Sequence, residues 1–362
     1  MLSMKKIKVL VVDDSAYNRV TISRMLTSDA GIEVIGSASD GVDAIAKTVR
    51  LAPDVITLDL EMPNMDGFTF LRWLMKEHPT PVLVLSSRSD SRSVFRALEL
   101  GAVDFLAKPD LHISKSIEGI RDELIAKVQA VLHLEMSKVQ STMKLLAEEK
   151  SAPVARKEDA APRERGPIEI VAIASSTGGP PAIQAILTAL PADFGAAVVI
   201  AQHMPAGFTR SFAERLNKLT SLMVSEAASG DRPRPGVVLI APGGHHLVVK
   251  KDRTGLVAEL VPRSPADKYV PSADRMMVSV ADACGPAVLG VVLTGMGRDG
   301  AEGAVAIKRK KGQCLAESEE SAVVFGMPQE AIKTGAVDKV LPLDKVAGEI
   351  VLRCSPGRDR PG

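Results

Sequence analysis

Three residues whose types together perform nucleophilic catalysis lie far apart in the second half of the sequence. Each comes shortly after an apolar run that is predicted to be a strand: Ser176 after 168–173, His203 after 196–201 and Asp299 after 287–293. A serine hydroxyl becomes a nucleophile when a histidine takes its proton and a carboxylate orients the imidazole. The carboxyl ends of neighbouring parallel strands share one edge of a sheet, so these side chains can meet there. The pattern predicts a serine hydrolase.

The same region offers hydrogen-bond donors for the oxyanion that such chemistry creates. Ser176 precedes Thr-Gly-Gly-Pro and a helical pattern over 182–190, which places it at a strand-to-helix turn. Backbone N–H groups and the positive end of a helix dipole lie at such a turn. The glycine-rich segment 294–300 lets its backbone approach a substrate closely, and its Met296 N–H is the first choice as oxyanion donor.

A second group of polar residues lies within the first 110 residues. Its members stand at the ends of predicted strands: Asp13 and Asp14 after 7–12, Asp59 after 55–58, Ser86 after 82–85, and Lys108 after 103–106. Crowded carboxylates repel one another unless a cation is present, and oxygen ligands suit Mg²⁺. Bound Mg²⁺ lets an anionic phosphodonor approach Asp59, while Ser86 and Lys108 can contact the phosphoryl oxygens. The group predicts magnesium-dependent phosphorylation of Asp59.

Short apolar strands that alternate with helical patterns position both groups. The first region has predicted strands at 7–12, 32–37, 55–58, 82–85 and 103–106. The second has them at 168–173, 196–201, 237–240, 287–293, 313–316 and 339–341, with 247–251 and 256–260 as an inserted hairpin. This alternation predicts two α/β domains, each with a mainly parallel sheet covered by helices on both faces.

The stretch between the two domains has its own pattern. Apolar residues recur at helical spacing from Ile117 to Leu146, which predicts one long helix. Residues 151–167 combine three prolines with dense mixed charge and are predicted to be a solvated linker. The predicted boundaries are therefore 1–132 for the first domain, 133–167 for a helical and charged linker, 168–352 for the catalytic domain, and 353–362 for a disordered tail.

Composition excludes several classes of function. A net charge of +1 without a basic segment, and only 3% aromatic residues, argue against nucleic acid as a partner. Three cysteines without metal-ligand spacing predict neither disulfides nor a zinc site. No apolar run reaches the roughly 20 residues of a membrane span. We expect a cytoplasmic protein that does not insert into membranes.

The first region resembles the receiver domain of two-component response regulators. The resemblance covers 7–109 and rests on these motifs in order: Asp13-Asp14-Ser15, Asp59 to Gly67, Ser86-Ser87 and Lys108-Pro109. It implies a flavodoxin-like fold and phosphorylation of Asp59 by a chemotaxis histidine kinase. The implied Mg²⁺ ligands are Asp13, Asp14, Asp59 and the backbone carbonyl of Glu61. Phe105 matches a mobile aromatic residue of the family, and the bond before Pro109 is a candidate cis peptide.

The second region resembles the chemotaxis protein-glutamate methylesterases, which are response regulators and also protein-glutamine glutaminases. The resemblance spans about 168–345 and rests on the segments 176–179, 202–205, 208–216, 271–274, 293–300 and 324–328. The implied roles are Ser176 as nucleophile, His203 as base, Asp299 as orienting acid, Thr177 as accessory contact and Met296 as oxyanion donor. The implied enzyme is activated by phosphorylation and hydrolyses glutamate methyl esters of chemoreceptors in sensory adaptation. Its hydrolase domain is expected to need no metal.

Several alternatives remain beside this interpretation. Ala174-Ser175 stands where the family usually has Gly-Ala, and it offers a second serine; Ser176 is favoured because it directly precedes Thr-Gly-Gly. His245 and His246 are expected to be loop residues without a catalytic role. A phosphate-binding loop at the serine is disfavoured, because the required glycine spacing is missing. A phosphorylation-switched adaptor, or the same chemistry on another signalling protein, remains open.

Overall fold

The computed structural model describes residues 6–86, 91–108, 114–132, 134–149 and 167–355. The chain forms two units, divided in sequence between Met143 and Lys144. None of the helices in these described ranges combines the length and the apolar composition needed to cross a membrane.

The first unit contains a five-stranded parallel sheet. Its strands are β1 (Ile7–Val12), β2 (Ile32–Ala38), β3 (Val55–Asp59), β4 (Val82–Ser86) and β5 (Asp104–Ala107). They lie in the order β2-β1-β3-β4-β5, the flavodoxin-like order, in which the chain changes direction between β1 and β3. The predicted fold of this unit is confirmed. The carboxyl ends of β1 and β3 therefore lie side by side, where ligands bind in such sheets.

Helices follow the strands of this sheet. They are α1 (Ala16–Thr27), α2 (Gly41–Leu51), α3 (Gly67–Glu77), α4 (Ser91–Glu99), α5 (Ser114–Val131) and α6 (Met136–Glu149). Three of them begin at a side chain that accepts a backbone N–H of the first turn: Ser15 for α1, Asp40 for α2 and Asp66 for α3. These caps satisfy donors that have no partner inside the helix, so the sequence itself sets where each helix begins.

The single long helix predicted from 117 to 146 is wrong, because α5 ends at Val131 and α6 begins at Met136. At the break, the N–H of Leu132 donates to the carbonyl of Gln129 at 3.4 Å, and that of Leu134 donates to Val131 at 3.2 Å. These tighter three-residue turns end the helix. Apolar spacing continues on both sides, so periodicity alone did not reveal the break.

The second unit is built on a seven-stranded parallel sheet with an antiparallel hairpin. In chain order its strands are β6 (Ile170–Ser175), β7 (Ala197–Gln202), β8 (Met223–Glu226), β9 (Val237–Ile240), the hairpin β10 (His245–Asp252) and β11 (Gly255–Pro262), β12 (Val288–Val292), β13 (Gln313–Glu317) and β14 (Lys339–Leu341). The sheet order is β14-β13-β12-β6-β7-β9-β8. The predicted α/β class and the hairpin are confirmed. β12, β6 and β7 are neighbours at the centre.

Six α-helices accompany this sheet in the described residues: α7 (Gly179–Ala189), α8 (Phe208–Leu219), α9 (Ala273–Cys284), α10 (Ala301–Arg309), α11 (Met327–Lys333) and α12 (Leu343–Cys354). Alternate residues of β6, such as Ala172 and Ala174, share one apolar cluster with α9 and the hairpin. All six residues of β6 are buried, as expected for a strand with both faces covered.

Three local features of this unit differ from the sequence-based expectations. Strand β8 was not predicted, since its four residues alternate between buried and exposed positions and it lies at the sheet edge. His245 and His246 are the first residues of β10 rather than loop residues. Helix α12 extends two residues into the predicted tail; the residues from 356 onward lie outside the described ranges, as do 150–166 of the predicted linker.

Candidate active site and phosphorylation site

The pairing of β6 with β7 brings Ser176 and His203 together. The strands are parallel, with Ser175 opposite Gln202 in the register, so the next residue of each strand lies directly beyond its carboxyl end. The N–H of His203 donates to the carbonyl of Ser175 at 3.1 Å, which continues the ladder to that point. Two residues 27 positions apart in sequence thereby become neighbours at the central edge of the sheet.

The turn after β6 fixes the backbone of Ser176. Its N–H donates to the carbonyl of Thr294 at 3.0 Å, and its carbonyl accepts the N–H of Gly179 at 2.8 Å. A methyl group at Gly295 would lie 2.8 Å from the Cβ of Ser176 and 2.9 Å from its nitrogen. Only glycine permits this approach, so the 294–300 segment packs directly against the backbone of the serine.

Ser175, the second serine at this turn, has a buried hydroxyl that is already engaged. It donates to Oε1 of Gln202 at 2.6 Å. Nε2 of Gln202 donates in turn to the carbonyls of Ser176 at 2.9 Å and His203 at 3.0 Å. Ser175 therefore helps to orient an amide that bridges the two turns, whereas Ser176 is partly exposed.

The imidazole of His203 is paired with Asp299, in agreement with the positions predicted for these two residues. Nε2 lies 2.8 Å from Oδ2 of the carboxylate, which is 3% exposed. Asp299 also accepts the hydroxyl of Ser272 at 3.0 Å and the N–H groups of Ala273 at 2.7 Å and Asp274 at 2.9 Å. The carboxylate thus has four donors.

These donors decide the charge of Asp299 and the tautomer of its partner. Burial alone favours the protonated acid, but His203, followed by the backbone N–H groups of Asp274 and Ala273, holds the pKa of Asp299 below its ordinary value. An ionised carboxylate only accepts hydrogen bonds, so Nε2 of His203 carries the proton. In the neutral imidazole the lone pair is then on Nδ1, which is the ring atom that can act as a base.

The remaining predicted residues surround the serine. Among the described residues, the structure records no hydrogen bond between the Ser176 hydroxyl and the imidazole; such bonds are often made only with substrate bound. Thr177 is buried, and its carbonyl accepts the hydroxyl of Thr294 at 2.9 Å. The N–H of Gly295 donates to the carbonyl of Val324. The N–H of the next residue, Met296, has no hydrogen-bond acceptor within the described ranges.

The acidic group of the first unit also assembles as the sequence predicts. Carboxylate oxygens of Asp13, Asp14 and Asp59 lie within 4.8 Å of one another at the ends of β1 and β3. Nζ of Lys108 lies 2.5 Å from Oδ2 of Asp59 and 2.9 Å from Oδ2 of Asp13. Ser86 ends β4, and its carbonyl accepts the N–H of Lys108 at 2.7 Å.

Burial shapes the titration of this pocket. It raises the pKa of Asp59, and the charge of Asp13 adds to that effect although Lys108 opposes it. Burial of Lys108 favours its neutral form, but the hydrogen bonds and charges of Asp59 and Asp13 raise its pKa above the ordinary value. Lys108 is therefore held protonated beside the carboxyl groups of Asp59 and Asp13.

Comparison with known proteins identifies both regions. The CheB methylesterase family model matches residues 171–350, and the response regulator receiver domain model matches 9–117. A protein-glutamate methylesterase/protein-glutamine glutaminase of Geobacter sulfurreducens is 54% identical over 97% of this chain and 98% of its own length. The chain belongs to this family. The resemblance stated from the sequence is confirmed.

Other members of the family agree across the whole length. One from Myxococcus xanthus is 48% identical over 96% of both chains. The crystal structure of the CheB methylesterase catalytic domain of Thermotoga maritima is 39% identical, covers 51% of this chain and 98% of that chain, and gives a TM-score of 0.50. The second unit described above therefore corresponds to a catalytic domain that has been solved separately.

The receiver domain implies a Mg²⁺-binding phosphorylation site, and the donor set fits that ion. The three clustered side chains, Asp13, Asp14 and Asp59, offer oxygen atoms only, which is the ligation that Mg²⁺ prefers. Phe105 is buried and packs edge-to-face on Phe95, with ring centres 6.4 Å apart. The predicted cis bond at Lys108-Pro109 falls outside the described residues.

Two residues near the catalytic triad were not assigned to it from the sequence. The ring of Tyr269 stacks on the imidazole of His203, with centroids 4.7 Å apart and planes within 4° of parallel. His246 is fully buried and pairs with Asp267 at 2.9 Å, one loop away from the triad. Tyr269 lies in a polar loop without periodicity, so only the scarcity of tyrosine, with two in the chain, could have drawn attention to it.

Proposed function

We propose that this chain is a phosphorylation-activated protein-glutamate methylesterase that acts on methyl-accepting chemoreceptors and also deamidates receptor glutamines. The observation that carries the proposal is the pairing of His203 with Asp299 at the end of β7, directly beside Ser176 at the end of β6. The names of the relatives supply the substrate class, since they are protein-glutamate methylesterases and protein-glutamine glutaminases.

In the first step, the Ser176 hydroxyl attacks the carbonyl carbon of a glutamate methyl ester. Nδ1 of His203 takes the hydroxyl proton, and Asp299 stabilises the imidazolium that forms. We assign the N–H of Met296 as the donor to the oxyanion and Thr177 as an accessory contact. The C–O bond to the methoxy group then breaks, and methanol leaves with the proton from His203.

In the second step, water hydrolyses the acyl-enzyme with His203 again as the base, which frees the glutamate carboxylate and Ser176. A glutamine side chain follows the same path with ammonia as the leaving group. Every proton transfer and every developing charge in these steps is served by a side chain or a backbone N–H of this unit. We therefore propose that the hydrolase domain uses no metal or cofactor.

In the receiver domain we propose Asp59 as the phosphoacceptor and a chemotaxis histidine kinase as the phosphodonor. The proposed Mg²⁺ ligands are Asp13, Asp14, Asp59 and the backbone carbonyl of Glu61. When bound, Mg²⁺ screens the charge between the carboxylates and the incoming phosphoryl group. We propose that Ser86 and Lys108 contact the phosphoryl oxygens.

The proposed boundaries remain those drawn from the sequence, at 132, 167 and 352. We also propose that the enzyme works in the cytoplasm, without inserting into membranes and without nucleic acid as a partner. Three free, buried cysteines support this location, since thiols stay reduced there.

The test is methanol release from methylated receptor membranes by the full chain, with and without Mg²⁺ and acetyl phosphate. We expect phosphodonor to raise the rate and Ser176→Ala to abolish it, whereas Ser175→Ala, which removes only the hydroxyl that orients Gln202, should lower the rate without abolishing it. If Ser176→Ala released methanol at the wild-type rate, the hydrolase assignment would be lost. A Ser176→Ala variant that still supports adaptation in cells would indicate a switched adaptor instead.

A further inference from the structure

We infer that His246 is a positioning residue for the catalytic triad, acting through the loop 264–272; this inference rests on the proposed hydrolase function. His246 touches none of the three triad residues in the recorded hydrogen bonds. It lies at the start of β10 and holds two points of the loop that leads into α9. Within that loop, Ser272 donates a hydrogen bond to Asp299, and the ring of Tyr269 stacks on His203.

Both ring nitrogens of His246 are engaged. Nδ1 accepts the backbone N–H of Ser272 at 3.1 Å, and Nε2 lies 2.9 Å from Oδ2 of Asp267. A backbone N–H can only donate, so Nδ1 carries no proton and the hydrogen of the neutral ring is on Nε2. The side chain has no exposed surface, so water cannot replace either partner.

The first route runs through Ser272 to the carboxylate of the triad. Ser272 caps the N-terminus of α9, and its hydroxyl donates to Oδ1 of Asp299 at 3.0 Å. The next two N–H groups, of Ala273 and Asp274, donate to the same carboxylate. By holding the backbone of Ser272, His246 fixes the helix end that supplies three of the four donors to Asp299.

The second route runs through Asp267 to the imidazole of the triad. Asp267 accepts from His246, from the N–H of Ser264 at 2.7 Å and from Arg275 at 2.6 Å. The hydrogen bond from His246, followed by that from Ser264, holds the pKa of Asp267 below its ordinary value, so it is a carboxylate at neutral pH. Two residues further on, Tyr269 stacks on His203.

Together these routes constrain His203 in two directions. Asp299 fixes the imidazole within its plane, and the ring of Tyr269 fixes it perpendicular to that plane. The stacked ring also favours the imidazolium that forms during the reaction. Loss of His246 should therefore misplace the base without removing it, and a displacement of about 1 Å costs roughly 10²-fold in rate.

The test uses two substitutions, each of which keeps one of the two hydrogen bonds that His246 makes. His246→Asn places an amide oxygen near the position of Nδ1 and keeps an acceptor for Ser272. His246→Gln places an amide nitrogen near the position of Nε2 and keeps a donor to Asp267. The matched control is His245→Asn, since His245 is the exposed neighbour on the same strand. Methanol release by the full chain gives kcat and KM, and thermal unfolding monitored by circular dichroism gives the folded fraction.

We expect each His246 variant to lower kcat about 10- to 100-fold with an unchanged KM, while His245→Asn matches the wild type. In the folded variants the NMR signals of the His203 ring should shift, a readout that does not depend on activity. A wild-type kcat in folded His246→Asn and His246→Gln would overturn the inference. So would a loss of rate that only follows the loss of folded protein.

Tyr269→Leu keeps the inference open to test if the His246 variants do not fold. It should lower kcat on its own. Where His246→Asn does fold, combining the two substitutions should give effects that are less than multiplicative, because both act on the His203 ring. Unchanged kcat in Tyr269→Leu, or fully multiplicative effects, would overturn the inference. Equal rates for wild type and Ser176→Ala would instead contradict the proposed function, which separates the two failures.

Discussion

The two sites of this molecule lie at the carboxyl ends of parallel strands, yet they satisfy their carboxylates in opposite ways. In the hydrolase unit, Asp299 is a buried carboxylate with four donors from the protein. In the receiver unit, the carboxylates of Asp13, Asp14 and Asp59 lie close together, and two of them, Asp13 and Asp59, share one ammonium, that of Lys108. The protein itself supplies the hydrogen-bond donors that Asp299 needs. The receiver pocket instead has more negative than positive charge, which a bound cation would neutralise. One sheet architecture thus serves two chemistries.

The pKa directions express the same contrast. Burial raises the pKa of Asp59 despite its lysine, whereas the donors around Asp299 outweigh burial and lower its pKa. Asp59 is held ready to gain a partner, either Mg²⁺ or a phosphoryl group. The donors around Asp299 favour its ionised form, in which it accepts the hydrogen bond that orients His203.

The largest effect is expected from removing the charge that completes the hydrolase site. Asp299→Asn should lower kcat for methanol release by about 10⁴-fold, because an amide cannot both accept the surrounding N–H groups and hold the imidazole in its Nε2–H tautomer. The control is Asp282→Asn, an exposed carboxylate on α9 paired with Lys310. A loss of less than tenfold for Asp299→Asn would remove the orienting role from Asp299.

A smaller effect is expected from disturbing the position of the serine while leaving all charges in place. Gly295→Ala brings a methyl group within 3 Å of the Cβ and nitrogen of Ser176, so one backbone must move. We expect kcat to fall roughly 10²-fold, the cost of about 1 Å of misplacement. Gly348→Ala in α12 is the matched control, since a methyl group there meets nothing within 4 Å. Equal kinetics for both variants would show that the close approach is irrelevant.

The smallest effect concerns the pH dependence of the receiver pocket. Because the pKa of Asp59 is raised, protonation begins at a higher pH than for a free aspartate, so Mg²⁺ affinity should start to fall at a higher pH as the pH is lowered from neutral into the acid range. Lys108→Met removes the charge that opposes this rise, so the fall should begin at a higher pH. Calorimetric Mg²⁺ titrations across this range provide the measurement. An affinity independent of pH in both proteins would contradict the assignment of Asp59 as a ligand.

The strands and the polar residues at their ends could be predicted from the sequence, because an apolar run that ends in Asp, Ser or His marks the carboxyl edge of a parallel sheet. For that reason the positions of Asp13, Asp59, Ser176 and His203 relative to the two sheets were predictable. The role of Tyr269 was not, since it arises from a loop that folds back over the imidazole. Contacts between distant, irregular segments leave no periodicity to detect.

The same limit explains the error over His246. A histidine after Pro-Gly-Gly suggests a polar loop, and only the packed structure shows its ring buried between Ser272 and Asp267. The break between α5 and α6 was hidden for a related reason, since helical spacing persists on both sides of it. Local patterns predict elements well, but they do not predict which side chains support them.

The most direct test of the account is to find which serine forms a covalent bond. A fluorophosphonate probe should modify the full chain, and peptide mass spectrometry should place the adduct on Ser176, with none formed in His203→Gln. Ser175, whose hydroxyl is buried against Gln202, should remain unmodified. An adduct on Ser175, or labelling of Ser176 at the same rate without the His203 imidazole, would contradict the assignment of nucleophile and base.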